Sequence, residues 1–388
     1  MNKIEKLIKH NKFFQAVYVF TFSLVFKFLG LFIRPKKIIL FQSLIGKNFG
    51  ESPKVLFDLI VSDPFFKDFK CIWAFENPDR HPECPTDKVK LNSFKYFKTA
   101  LKSKIWISNT GIERGLHFKH KGTIHLNTDH GFAFKKCGNA QKNRSDYNFK
   151  NVDFFCCCSE IDKKIKVRDY KLKDESARVV GFPINDVFFK DNSGLREELR
   201  KRFEIPKDKK VILYAPTWRD DYYASKHPDF IPIHIEKWEK ALGDKYVFFL
   251  RGHHLSSGTK PFESGGFLKD GYTGISVEEM LILSDILISD YSAISFNYSI
   301  LEKPIVAYVY DNKEYQETRG TYIDPFDVFK GSCFKNEDDV IEHILNMNYE
   351  LESKKTKDIH HKYMVGDGHT AECCINYLKD RLDKNGKK

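Results

Sequence analysis

The chain has 388 residues, 41% of them hydrophobic, which is enough to bury a large core and more than one core usually organises, so two domains are expected. Lysine and arginine outnumber aspartate and glutamate by 64 to 53, and the formal charge of +11 favours anionic partners: phosphorylated substrates, an acidic membrane surface or nucleic acid. The nine cysteines exclude a disulfide framework, because Cys156, Cys157 and Cys158 are consecutive and Cys373 and Cys374 adjacent, and no CxxC pair supports a zinc site. A reducing cytoplasm fits that usage.

The first element is apolar. Between Phe13 and Ile33 the only charge is Lys27, and as a helix the stretch could cover a bilayer core of roughly 30 Å. Basic residues flank it on both sides (Lys3, Lys6, Lys9 and Lys12, then Arg34, Lys36 and Lys37), so charge asymmetry sets no orientation. A buried strand is predicted almost at once, at Lys37–Gln42, which leaves little linker for an anchor. The reading is a monotopic helix or helical hairpin in the cytoplasmic leaflet, with a true span and a core helix as alternatives. No small-residue cleavage site follows, which argues against a signal peptide.

Short apolar runs then alternate with helical periodicity. Strands are predicted at Lys70–Phe75, Ile105–Ser108, Thr123–Asn127 and Val152–Cys158, with helices around Pro53–Val61 and Ser93–Leu101. The three cysteines that end the Val152–Cys158 run read as buried, unreactive thiols. A charged stretch, Asp191–Lys210, precedes a second series at Val211–Ala215, Tyr246–Arg251, Ile286–Ser289 and Ile305–Tyr308. This alternation is the pattern of parallel sheets with crossover helices. The expected organisation is an N-terminal helical segment (1–36), one Rossmann-like domain (37–190) and a second (191–388), with a cleft between the two. The last helix, Thr370–Leu382, is expected to pack back on the body, and Asp383–Lys388 to fray.

Open parallel sheets bind ligands where strands end, and four such places carry chemistry. After Thr123–Asn127 comes Asp129-His130-Gly131-Phe132-Ala133-Phe134-Lys135-Lys136. A histidine before glycine can present a near-neutral imidazole, with lysines close enough to hold a phosphate; a turn-capping histidine is the plainer reading. Next, Tyr214-Ala215-Pro216-Thr217-Trp218-Arg219-Asp220-Asp221 ends a strand at Pro216 and offers a hydroxyl and a guanidinium to a phosphate or nucleotide, or forms a structural loop. Third, Arg251-Gly252-His253-His254 suits a diphosphate, although paired histidines are as often solvated; Glu263 and Asp270 do not complete a metal site. Last, the strand ending at Ser289-Asp290-Tyr291-Ser292 runs into a helix from Ala293, where free N–H groups and hydroxyls make an anion site or Ser292 simply caps the helix.

Taken together, these residues carry a resemblance. HGxxxKK, YAPTWRDD, RGHH, LISDYSAISFNYSILEKPIVAYVYD (Leu287 to Asp311) and Arg319-Gly320-Thr321-Tyr322 stand in the order seen in the CDP-glycerol glycerophosphotransferase family of wall teichoic acid and capsule synthesis. The match runs from His130 to Tyr322, with a weaker echo at Asp367-Gly368. The resemblance implies an α/β fold of two Rossmann-like domains, GT-B-like, with the donor bound mainly by the C-terminal one. It implies His130 as general base toward an acceptor hydroxyl attacking the donor's β-phosphate, and His253 as the group that holds or neutralises the diphosphate. Lys135, Thr217, Arg219, Arg251, Ser289, Asp290, Ser292, Ser295 and Arg319 would line the substrate site, and CMP would leave.

Displacement at a diphosphate needs positioning and charge neutralisation more than covalent chemistry, so no metal or other cofactor is required. The expected partners are CDP-glycerol or another CDP-polyol, a polyprenyl-diphosphate-linked or polymer acceptor, and the cytoplasmic leaflet of the cell membrane. The chain departs from the family at Phe132-Ala133, where Thr-Pro is usual, at His254, where Pro is usual, and at Asn297, where Asp is usual. These positions bear on which polyol and acceptor are used, rather than on the reaction type. The alternative reading is a GT-B nucleotide-sugar glycosyltransferase acting on a membrane-linked glycan. Nucleic acid is disfavoured, because the basic residues form no single stripe with interleaved aromatics.

Overall fold

The computed structural model describes residues 12–142, 144, 146–217, 232–251, 266–270 and 274–386. They form an α/β protein with two parallel sheets in two compact units. The first unit comprises residues 1–130, 143–184 and 369–388, and the second 131–142 and 185–368. Where a single break near 190 was expected, the chain thus changes unit four times.

Seven strands build the first sheet: β1 (Lys36–Gln42), β2 (Lys70–Phe75), β3 (Asp87–Lys90), β4 (Ser103–Ser108), β5 (Ile124–Asn127), β6 (Phe154–Cys157) and β7 (Ala177–Val179). They lie in the order β3-β2-β1-β4-β5-β6-β7, every pair parallel. The second sheet holds β8 (Lys210–Tyr214), β9 (Tyr246–Leu250), β10 (Leu268–Asp270), β11 (Ile286–Ser289), β12 (Ile305–Tyr308) and β13 (Cys333–Phe334), in the order β10-β9-β8-β11-β12-β13. Central strands such as Ile-Leu-Ile-Ser of β11 are buried at every residue. That is why they read as continuous apolar runs: helices cover both faces of such sheets. In each sheet the order reverses beside its first strand, between β1 and β4 and between β8 and β11, and ligands of this fold class bind outside the carboxyl ends of strands at that point.

Residues 12–32 form one helix, Lys12–Phe32. Its narrow inner stripe packs on the first unit: Phe26 sits 4.6 Å from Phe97 and 5.5 Å from Phe118, and the His117 N–H donates to Ser23 Oγ at 3.0 Å. The opposite face leaves Phe20, Leu24, Phe28, Leu31 and Phe32 exposed. Among the described residues no helix is long and apolar enough to cross a membrane.

The last helix, Thr370–Gly386, belongs to the first unit. Tyr377 packs on Phe154 at 4.7 Å, Lys379 pairs with Asp63 at 2.6 Å, and the Cys374 thiol lies 3.8 Å from Cys156. The helix runs on past Leu382 to Gly386, because nothing in Asp383-Lys384-Asn385 stops it before that glycine; Lys387 and Lys388, the end of the stretch expected to fray, lie outside the described residues. All nine cysteines are free thiols, and Cys156, Cys157 and Cys158 are fully buried.

Candidate active site

In the first unit the chain leaves β5 through a tight turn. The Asp129 N–H donates to Asn127 Oδ1 at 2.9 Å and the Thr128 N–H to the Ser108 carbonyl at 2.7 Å. Asp129 itself takes φ +49°, a left-handed conformation that aspartate tolerates better than most residues. The turn delivers His130 to the carboxyl end of β4. Its Nδ1 lies 3.2 Å from the Asn109 carbonyl and 3.1 Å from Asp129 Oδ1. Both partners are acceptors, so Nδ1 carries the proton and Nε2 is left as the basic nitrogen.

Behind the histidine is a buried chain of charge. The Asp129 carboxylate meets the Lys166 ammonium, which also lies 2.7 Å from Asp162 Oδ2. Lys166 is 1% exposed and Asp162 fully buried, one turn apart on the helix Glu160–Asp169. Burial pushes the Asp129 pKa up, but Lys166 and the His130 hydrogen bond pull it down harder, to about 2. For His130, withdrawal from water lowers the pKa and the Asp129 hydrogen bond and charge raise it by more, so the net direction is upward despite Lys166. With 49% of its side chain open to solvent, the histidine is fixed at one nitrogen and accessible.

In the second unit four motif segments converge, and the backbone does most of the joining. The Ser289 hydroxyl donates to the Ala215 carbonyl at 2.7 Å, and the Asp290 carboxylate accepts the N–H groups of Thr217 at 2.8 Å and Tyr291 at 2.7 Å. These bonds tie the ends of β8 and β11 at the point where the strand order reverses. Ser289 and Asp290 are both buried, so they shape the loop at that point. The Arg251 N–H donates to the Tyr214 carbonyl at 2.9 Å, placing that arginine at the adjacent strand end.

The segment after His130 joins them. Lys135 and Thr321 form an antiparallel bridge, flanked by Lys136 N–H to the Gly320 carbonyl at 3.0 Å and Tyr322 N–H to the Phe134 carbonyl at 2.9 Å. Gly320 takes φ +72°, and a Cβ there would stand 3.2 Å from the Lys136 side chain. Gly131 is equally constrained, since a Cβ would meet that of Ala293 at 2.9 Å. Phe132 and Phe134 then anchor the segment on Phe296, at 4.3 and 5.0 Å. Arg319 directs Nη1 to Gln141 Oε1 at 3.2 Å.

The helix Ile294–Ser299 is only six residues long and starts after Ala293. Ser292 Oγ accepts the Ile294 N–H at 3.3 Å, an interaction ahead of the helix in place of an N-cap. Ser295 is 1% exposed and its hydroxyl has no hydrogen-bond partner among the described residues. Arg219 and His253 lie outside the described residues. Sequence reasoning missed Asn109 and Lys166. Nothing local marks either: Lys166 stands in Glu-Ile-Asp-Lys-Lys-Ile-Lys, which reads as a solvated helix face, and only the Asp162 spacing hinted at a pair.

The profile of the family described as CDP-Glycerol:Poly(glycerophosphate) glycerophosphotransferase matches residues 24–378. The chain is 30% identical to the teichoic acid poly(glycerol phosphate) polymerase of Staphylococcus epidermidis over 78% of its own length and 44% of that protein's. It is 29% identical to the polymerase of the same name from Bacillus spizizenii, over 85% and 89%. Among solved structures, the wall teichoic acid polymerase TagF superposes with a TM-score of 0.80 at 26% identity, covering 94% of this chain and 93% of that one. A TagF variant soaked with CDPG gives 0.78, over 91% and 90%. Fold, motif order and profile agree, and the chain belongs to the CDP-glycerol:poly(glycerophosphate) glycerophosphotransferase family.

Proposed function

We propose that this chain transfers glycerol phosphate, or a related polyol phosphate, from a CDP-polyol to a hydroxyl of a membrane-linked teichoic acid acceptor and releases CMP. The observation that carries the reading is the fixed tautomer of His130: Nδ1 donates to Asn109 and Asp129, and Nε2 is left to take a proton. The acceptor hydroxyl attacks the β-phosphorus of the donor, its proton passes to Nε2, and the bond to CMP breaks. Arginines and N–H groups at the strand ends of the second unit balance the diphosphate charge. The division of labour is GT-B-like, with the first unit serving the acceptor and the second the nucleotide. Arg219 and His253 are assigned to the donor on the motif match alone. No metal is assigned a role in the transfer.

The helix Lys12–Phe32 supplies the membrane contact in this reading. Its exposed face carries Leu31 and Phe32 at 78% and 75% exposure, next to Lys27, Arg34, Lys36 and Lys37. An apolar face edged by cations is the make-up of a helix lying in an anionic interface. The free thiols and the nucleotide donor fit the cytoplasmic side.

The test is CMP release from CDP-glycerol, CDP-ribitol and a panel of nucleotide sugars with a polyprenyl-diphosphate-type acceptor, using wild type and His130→Ala. Turnover of one CDP-polyol, reduced about 10²–10⁴-fold in a folded His130→Ala protein, is the expected result. Turnover of a nucleotide sugar alone would replace the proposal with a glycosyltransferase.

A further inference from the structure

We infer that Glu302, His360 and His361 form a binding site for a divalent transition metal of the zinc type. All three lie in the second unit, and none is among the residues assigned to transfer. On the helix Tyr349–Tyr363, Lys357 is one turn from both His360 and His361, and the two consecutive imidazoles stand 5.4 Å apart. Facing them is Glu302, in the turn between the helix Ile294–Ser299 and β12, at φ +53°. One ligand atom from each of the three lies within 4.8 Å of the other two.

Two details point to an ion rather than to a chance grouping. Glu302 Oε1 stands 3.5 Å from His360 Nδ1. That nitrogen is buried and has no hydrogen-bond partner among the described residues. A buried ring nitrogen aimed at a carboxylate but left short of a hydrogen bond is a costly arrangement unless something completes it.

The donor set selects the ion. Two imidazoles and one carboxylate suit zinc, nickel or copper, whereas calcium and magnesium take oxygen ligands. Zinc bonds of about 2.0–2.2 Å in a tetrahedron need ligand atoms roughly 3.4 Å apart. His361 is exposed and Glu302 half-buried, so the ligand atoms have to close on the ion by side-chain rotation. The fourth position is left to water. Lys357 is the competitor: its ammonium lies 3.0 Å from Glu302 Oε2 and must swing into solvent, where half its side chain already is. Once bound, the ion ties the helix to the turn that leads into β12, next to β11 in the sheet.

The experiment uses the full chain carrying Cys373→Ser, because the exposed Cys373 thiol is a second zinc ligand. After chelator treatment and exchange, the protein is titrated with zinc chloride by calorimetry, and with cobalt chloride by its visible absorption. The expected result is one saturable site per chain, with cobalt absorption of low-coordinate nitrogen and oxygen ligation. His361→Ala is expected to weaken binding at least tenfold and Lys357→Gln to tighten it. Zinc should raise the melting temperature of the Cys373→Ser protein and leave that of His361→Ala unmoved. Equal zinc affinity in His361→Ala, Glu302→Gln and the parent would overturn the site, as would the lack of a saturable phase in both the parent and Lys357→Gln.

Discussion

Replacing Asp129 by asparagine tests the origin of the basicity of His130. The carboxylate stands 3.1 Å from Nδ1, and because solvent reaches half of the histidine, water-like screening applies. Coulomb's law then gives about 1.3 kcal/mol, close to tenfold in the balance between imidazolium and imidazole. The sign follows from the reaction. A general base must be neutral, so wild-type kcat/KM falls as pH drops through a His130 pKa lying above the ordinary 6.5. Without the carboxylate, burial and Lys166 both push that pKa down, and the acid limb moves to lower pH. The plateau rate falls as well, about 10- to 100-fold, because the ring is a weaker base and less firmly held. Stability changes independently: Lys166 keeps only Asp162, and a partly broken buried pair costs about 3 kcal/mol. Initial rates of CMP release across pH give the first effect and urea denaturation the second. An acid limb that stays in place or moves up would refute the assignment of His130 as the base held by Asp129.

Three other perturbations have defined outcomes. Glu337 accepts from the His234 N–H at 2.9 Å, Trp238 Nε1 at 3.1 Å and Lys237 at 3.0 Å. Burial raises its pKa, but these donors bring it down to about 2, so its stabilisation is present above the unfolded value of 4.5 and lost as pH falls through about 2. Glu337→Gln should therefore cost about 2–3 kcal/mol at neutral pH, with the difference from wild type vanishing in urea melts near pH 2. Gly320→Ala forces a Cβ onto a left-handed residue beside Lys136 and should cost about 1–2 kcal/mol, read in the same melts, with a parallel loss of turnover. Leu31→Ser with Phe32→Ser removes two exposed apolar side chains. Sedimentation with phosphatidylglycerol vesicles should weaken by about tenfold per side chain while CMP release from a soluble acceptor is retained.

The central strands were legible because a strand buried on both faces must be apolar throughout. Lys70–Phe75, Ile286–Ser289 and Ile305–Tyr308 were read to the residue. The edges were not: Asp87–Lys90, Ala177–Val179, Leu268–Asp270 and Cys333–Phe334 are short, half-exposed and weakly patterned. Their strand state comes from the neighbour they pair with rather than from their own composition. The exchange of 131–142 into the second unit was also invisible. It is set by a bridge between residues far apart in sequence, Lys135 and Thr321, and by aromatic packing of Phe132 and Phe134 on Phe296.

For the site, position was legible and role was not. The sequence placed His130, Thr217, Ser289 and Asp290 at strand ends, where they stand and where the topology of such sheets puts ligands. Two of them also hold the backbone: Ser289 donates to the Ala215 carbonyl and Asp290 accepts the N–H groups of Thr217 and Tyr291. A hydroxyl and a carboxylate look the same in a sequence whether they bind a substrate or a peptide N–H. What separates the two uses is burial, and burial is decided by the fold. The same holds for Lys166, a lysine among lysines on a helix whose period does not mark it, yet the cation that keeps Asp129 ionised behind the histidine. Asp129 in turn was legible only as the residue before His130; that the turn at φ +49° would aim its carboxylate at Nδ1, and so leave Nε2 as the basic nitrogen, follows from the three-dimensional path between β5 and Gly131.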